Sequence, residues 1–174
     1  MKTFKKAAII AAGLVVLGGC AKETPPAADP AADEAAIRAV NPAWFEAFNA
    51  GDVEGVVALY ADDAVLSAPG VPAARGTAAI REAFTKDMAA MAAAGLTNKH
   101  GADAQFSVSG DLAWEWNTFS VIDSSGATVD TGKYLTVYGR RDGKWLIVGD
   151  IWNTDTAPAA AAPEAEVAAE TPAT

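Results

Sequence analysis

Apolar side chains recur at helical spacing at Ile37, Val40, Trp44 and Phe48, and again past Gly51 at Val53, Val56, Val57 and Tyr60. Each set falls on one face of a helix, Gly51 suits the left-handed position that closes the first, and Asp52 can cap the second. Pro42 lies inside the first pattern, where its missing N–H predicts a bend or a late start. A short apolar stretch, Ala64 to Ala68, precedes a third helix from about Thr77, with Ile80, Phe84, Met88 and Met91 inward and Gly95 at its end. Beyond Gly95 the apolar period drops from about 3.6 residues to about 2. Ser109-Gly110-Asp111, Asp123-Ser124-Ser125-Gly126 and Arg141-Asp142-Gly143 read as turns joining four long antiparallel strands. Helices followed by a meander predict an α+β domain, with three helices packed on one face of a strongly curved antiparallel sheet.

Alternation along the strands puts Trp114, Trp116 and Thr118 on one face of the second, and Leu146, Val148, Asp150 and Trp152 on one face of the last. Turned toward the helices, those faces line an interior with three tryptophans. Glu115 then faces out, and Tyr134, Thr136 and Tyr138 supply an outer face through which a homodimer would form.

Composition sets the limits of this domain. Ala21 to Ala32 is rich in Ala and Pro, and Ala157 to Thr174 repeats Ala, Pro and Glu without an aromatic, so neither holds enough apolar surface to order itself. The expected organisation is a tether over 20–32, one domain over 33–156 that carries all five tryptophans, and a disordered tail over 157–174. With 13 basic against 22 acidic residues the formal charge is −9, which disfavours nucleic acid as a partner. One cysteine excludes a disulfide framework and one histidine excludes a His-based metal cluster; neither a metal nor another cofactor is expected. His100 reads as a surface residue, Asp62-Asp63 as a turn and capping pair, and Ser67 as a hydroxyl without a histidine to activate it.

At the N-terminus, Lys2, Lys5 and Lys6 precede an apolar run, Ala7 to Leu17, that is too short to span a bilayer stably and ends in Leu17-Gly18-Gly19-Cys20. This segment resembles a bacterial lipoprotein signal. The resemblance implies removal of residues 1–19, a lipid on Cys20 and a mature chain held to the cell envelope through it. Ala21 replaces the aspartate of an inner-membrane retention signal, which points to the periplasmic face of the outer membrane if the cell is Gram-negative.

Phe48-Asn49-Ala50-Gly51-Asp52, Val56 to Ala64 and Gly76-Thr77-Ala78-Ala79-Ile80-Arg81 resemble the ketosteroid-isomerase and SnoaL-like branch of the NTF2-like superfamily, and Gly143-Lys144-Trp145 with Asp150-Ile151-Trp152-Asn153 resembles its DUF4440 subgroup. The likeness implies a conical shell with a ligand pocket in the cone. The isomerase needs a carboxylate base and two oxyanion donors. Carried over, the base position falls on Ala68, the tyrosine donor on Trp44 and the second donor on or beside Leu135, so steroid isomerisation is not expected. The same alignment leaves an aromatic box of Trp44, Tyr60, Phe84, Trp114, Trp116 and Trp152 around Asp150. Such a box would stack a flat apolar molecule or hold a cation, and an inward aspartate must be paired, solvated by the pocket or protonated. Two functions follow: a binding module for a small, partly apolar molecule, which needs no catalysis, or an isomerase-, cyclase- or hydrolase-type enzyme using Asp150 as acid or base. A non-catalytic dimeric scaffold is the third.

Overall fold

The computed structural model describes residues 29–156; the segment read as a lipoprotein signal, Cys20, most of the stretch read as a tether and the stretch read as a tail lie outside them. Helix α1 runs from Pro30 to Asn49. It starts earlier than the sequence suggests, inside the stretch read as tether, because Asp29 accepts from the backbone of Ala31 and Ala32 and Pro30 occupies the first turn, where a missing N–H costs nothing. Pro42 neither delays nor ends the helix, and it sits on the exposed side. Asp52 caps α2 (Val53–Val57), and α3 spans Gly76–Ala93, followed by Gly95 at φ 67°.

Among the described residues, seven strands form one curved sheet: β1 (Tyr60–Ser67), β2 (Ala74–Arg75), β3 (Thr97–His100), β4 (Gln105–Ser109), β5 (Leu112–Ile122), β6 (Thr128–Arg141) and β7 (Lys144–Thr154), in the order β2-β1-β7-β6-β5-β3, with β4 also paired to β5. All pairs are antiparallel except β1 with β7. The predicted meander is present as β4 to β7. The segment read as a helix end, a turn and a short apolar stretch is instead the single strand β1, in which Tyr60 is the first residue and Asp62 and Asp63 are exposed.

The helices cover the concave face, and the core there includes Ile37, Val56, Ile80, Tyr138 and Ile147, each at most 1% exposed. The inward face of β5 is Ala113, Glu115, Asn117, Phe119 and Val121, opposite to expectation; Trp114 and Trp116 stand on the outer face, 40% and 36% exposed. Tyr134, Thr136 and Tyr138 of β6 likewise turn inward and Leu135 outward. Bulk alone misassigns these strands because the buried polar groups are satisfied: Tyr134 and Tyr138 donate to the Glu115 carboxylate, and Asn117 donates to the Gly101 carbonyl.

Two irregularities re-aim the strands. Between Val137↔Gly149 and Tyr138↔Ile147 the register of β6 and β7 slips, leaving Val148 as an extra residue. Residues three apart in a regular strand face opposite ways; the bulge returns Asp150 to the same face as Ile147. A second slip, between Val121↔Asp130 and Ile122↔Thr128, leaves Val129 as the extra residue. At Gly132 a Cβ would collide with the Phe119 ring and the Asn153 carbonyl, so glycine lets that ring lie across β6.

Candidate functional site

Between α1, α3 and the concave sheet lies a cavity of about 280 Å³, just below the roughly 300–1,000 Å³ usual for small-molecule pockets. Its apolar wall is mainly aromatic. Trp44, Phe45 and Phe48 descend from α1, Phe84 comes from α3, and Phe119 and Trp152 come from the sheet. Trp44 stacks on Phe48 with centroids 4.8 Å apart and meets Phe84 edge-on at 5.7 Å, while Trp152 meets Phe119 edge-on at 6.0 Å. These offset and edge-on packings hold the rings rigidly.

A hydrogen-bonded chain runs beneath this wall. The Trp44 indole N–H donates to the Tyr60 hydroxyl over 3.1 Å, and that hydroxyl donates to Asp150 Oδ2 over 2.6 Å. Burial pushes the Asp150 carboxyl up to about 6, against the opposing hydrogen bonds from Tyr60 and Thr136 that favour its ionised form. Burial and the adjacent carboxylate push the Tyr60 hydroxyl well above its ordinary range, so it remains a proton donor. Thr136 pairs with Glu115 on one side and Asp150 on the other, which sets both acids in one row across β5, β6 and β7.

Of the residues expected in the site, Trp44, Phe84, Trp152 and Asp150 line the cavity, and Tyr60 stands behind them as the link between Trp44 and Asp150. Trp114 and Trp116 do not belong to it, because they occupy the outer face of β5. Ala68, at the isomerase's base position, borders an adjoining groove that shares Phe84, Asp87 and Trp152 with the cavity, and Leu135, at its second donor position, faces away from the cavity. The Asp150–Trp152 association is as expected, but their partner on the inner face is Ile147 rather than Leu146 and Val148.

Sequence reasoning missed several lining residues. Phe45 is next to Trp44, and Asn41 is one turn earlier on α1; Asp87 lies on α3, while Asp130 follows the bulge at Val129. The i, i+3, i+4 spacing from Asn41 through Trp44 to Phe45 and Phe48 was a visible signal for the helical members. His100 is exposed on β3, with its ring 5.4 Å from Phe45. Among the described residues no group of three or more His, Cys, Asp or Glu side chains is arranged to hold a metal ion.

The family model for the SnoaL-like domain matches residues 42–148. The chain belongs to the SnoaL-like family. Solved structures of similar fold include an NTF2-like protein with a cystatin-like fold from Novosphingobium aromaticivorans, 23% identical, TM-score 0.64, covering 70% of this chain and 81% of its own. An NTF2-like protein of unknown function from Pseudomonas putida is 22% identical, TM-score 0.64, with 70% and 86% covered. A ketosteroid isomerase-like protein from Erwinia carotovora atroseptica is 22% identical, TM-score 0.55, with 71% and 96% covered. At these identities the SnoaL-like chain shares their fold, a curved antiparallel sheet wrapped on a few helices.

Proposed function

We propose that this SnoaL-like protein is an envelope lipoprotein, tethered through Cys20, that binds a small, partly apolar molecule in its aromatic cavity with Asp150 as the polar anchor. The observation that carries this reading is the aromatic cavity of about 280 Å³ with one hydrogen-bonded acid at its floor. Rigid rings supply apolar contact without large entropy loss, and the carboxylate fixes orientation. The lipid anchor rests on the basic head, short apolar run and Leu17-Gly18-Gly19-Cys20, and the DUF4440 subgroup on the closing Trp145 and Asp150-Ile151-Trp152 motifs.

A second reading is acid–base catalysis. An acid that titrates at about 6 beside a buried tyrosine O–H is suited to take a proton near neutrality and return it. The reaction class is then one that moves a proton on a substrate with an acidic C–H or an opened ring, and Asp150→Asn would lower turnover by roughly a hundredfold or more. A third concerns assembly: Trp114, Trp116, Leu135 and Ile151 are large apolar residues exposed on the outer sheet face, and they take the place in a homodimer that Tyr134, Thr136 and Tyr138 had been expected to fill.

Native mass spectrometry of the protein purified from the envelope tests binding and assembly together. A retained mass lost in Trp152→Ala or Phe84→Ala but kept in Trp116→Ala supports the cavity; equal retention in all three variants overturns it. A dimer peak abolished by Trp116→Glu supports the outer-face interface, and a dimer unchanged by that substitution rules it out.

A further inference from the structure

The cavity has a charge pattern that its apolar wall does not require. Asp87, Asp130 and Asp150 line it, and among the described residues that line it there is no lysine, arginine or histidine. Of the nearby basic residues, Lys86 pairs with Glu82, Lys133 with Asp155, Arg81 with Glu54, and Arg140 with Asp33 and Asp111, while Lys99 and His100 of β3 are exposed and do not line the cavity. Asp150 has only the neutral donors Tyr60 and Thr136. A buried carboxylate without a counter-charge is costly, and aromatic faces attract cations, so the same walls favour a positive guest twice over.

An independent observation adds a second recognition group. Among the described residues, the buried side-chain polar atoms without a hydrogen-bond partner are Asn41 Nδ2 and Asn98 Oδ1, and both asparagines line this cavity. Orphaned buried amide groups cost roughly 1–3 kcal/mol each. One is a donor and the other an acceptor; both are covered in the empty cavity, so a hydroxyl or carboxamide on the guest would satisfy them once the two side chains turn toward it.

Building on the reading of the cavity as a ligand site, we propose that its ligand is a small organic ammonium ion with an apolar or aromatic body and a hydroxyl or carboxamide group: the ammonium pairs with Asp150 and the polar group meets Asn41 and Asn98. Asp87 and Asp130 add to the negative potential without contacting the charge directly. Because Asp150 must be ionised to pair, binding weakens as pH falls through about 6. The other ionisable groups facing it are Tyr60 of β1, Tyr134 and Tyr138 of β6, and Glu115 beyond Thr136; all three tyrosines are held above their ordinary range and stay neutral.

The test is isothermal titration of the full chain near pH 8 with four compounds of one shape: phenylethanolamine, its neutral analogue styrene glycol, its anionic analogue mandelate, and phenethylamine, which lacks the hydroxyl. Phenylethanolamine is expected to bind at least about tenfold tighter than the glycol, with mandelate weakest, the scale of a single partly desolvated charge pair. Asp150→Asn should erase the preference for the amine while leaving the glycol unchanged. Asn41→Leu should reduce the advantage of phenylethanolamine over phenethylamine without lowering Tm, since it removes an unpaired amide. Equal affinity for amine and glycol, or a preference for mandelate, overturns the cation inference and leaves the ligand cavity standing. Failure of all four to bind overturns both.

Discussion

Asp150 is held in a place that penalises its charge. Its carboxyl titrates at about 6 in the folded protein against an ordinary value of 3.8. Between those values the native state keeps a proton that the unfolded chain has released, so native stability falls as pH rises through this window and stays reduced above it. Asp150→Asn accepts the Tyr60 hydrogen bond without a charge. Its Tm is expected to exceed the wild type's by roughly 5 °C at neutral pH, and thermal melts should show the gain shrinking below about 6 and vanishing below 3.8. A gain that persists at low pH would remove the electrostatic explanation. Destabilisation kept at one residue in a cavity is typical of a site retained for what it binds. Glu115 shows the opposite handling of a buried acid: two tyrosine hydroxyls take both of its oxygens.

At the scale of elements, the cavity depends on how α1 is fastened across the sheet. Asp33, near the start of the helix, receives hydrogen bonds from Arg140 of β6 and from the Trp145 indole of β7, and the Arg140 guanidinium lies 4.4 Å over the Trp145 ring. The hydrogen bonds of Arg140, and then of Trp145, hold the Asp33 carboxyl below its usual range. That contribution is present above the unfolded carboxyl's value and is lost as pH falls through the lower folded one. Asp33→Ala should therefore lower Tm at neutral pH, with the deficit closing in acid. Lys86→Met, which breaks an exposed pair on α3, should leave Tm within about 2 °C of the wild type. Thermal melts of both variants across pH decide this, and equal losses would show that the Asp33 cluster does not fasten the helix. The bulge at Val148 acts at the same scale: one extra residue determines that Ile147 and Asp150 share the cavity.

At the scale of the whole molecule, one domain carries two separate surfaces, an acidic aromatic interior and an apolar outer sheet face. The described residues contain no helix long and apolar enough to cross a membrane. In the proposed arrangement attachment runs through the lipid on Cys20. Its replacement by serine should abolish incorporation of labelled fatty acid into the protein while the domain's melting curve is unchanged. Fatty acid still incorporated after Cys20→Ser, or none incorporated into the wild type, would remove the lipid anchor from the proposal. In the proposed arrangement a flexible tether would hold the cavity within a few nanometres of the bilayer, given a reach of about 5–6 Å times the square root of its length in residues, and the proposed guest would then be one that circulates in the envelope.

Much of this was legible along the chain. The spacing of Ile37, Val40, Trp44 and Phe48 announced α1, the turns at Gly110, Gly126 and Gly143 delimited the meander, and the motifs around Asp52 and Gly76 named the family. The placement of Asp150 and Trp152 on one inward face was also readable, because two residues of spacing in a strand keep the same side whatever the register. Alternation marks two faces of a strand but does not say which one is inside. For β5 and β6 that choice was made by tertiary packing, which buried Glu115 and Asn117 because partners from other segments could satisfy them, and left Trp114 and Trp116 outside. The partnership of Trp44, Tyr60 and Asp150, distant in sequence and joined by two hydrogen bonds, likewise exists only once the sheet has curled around the helices.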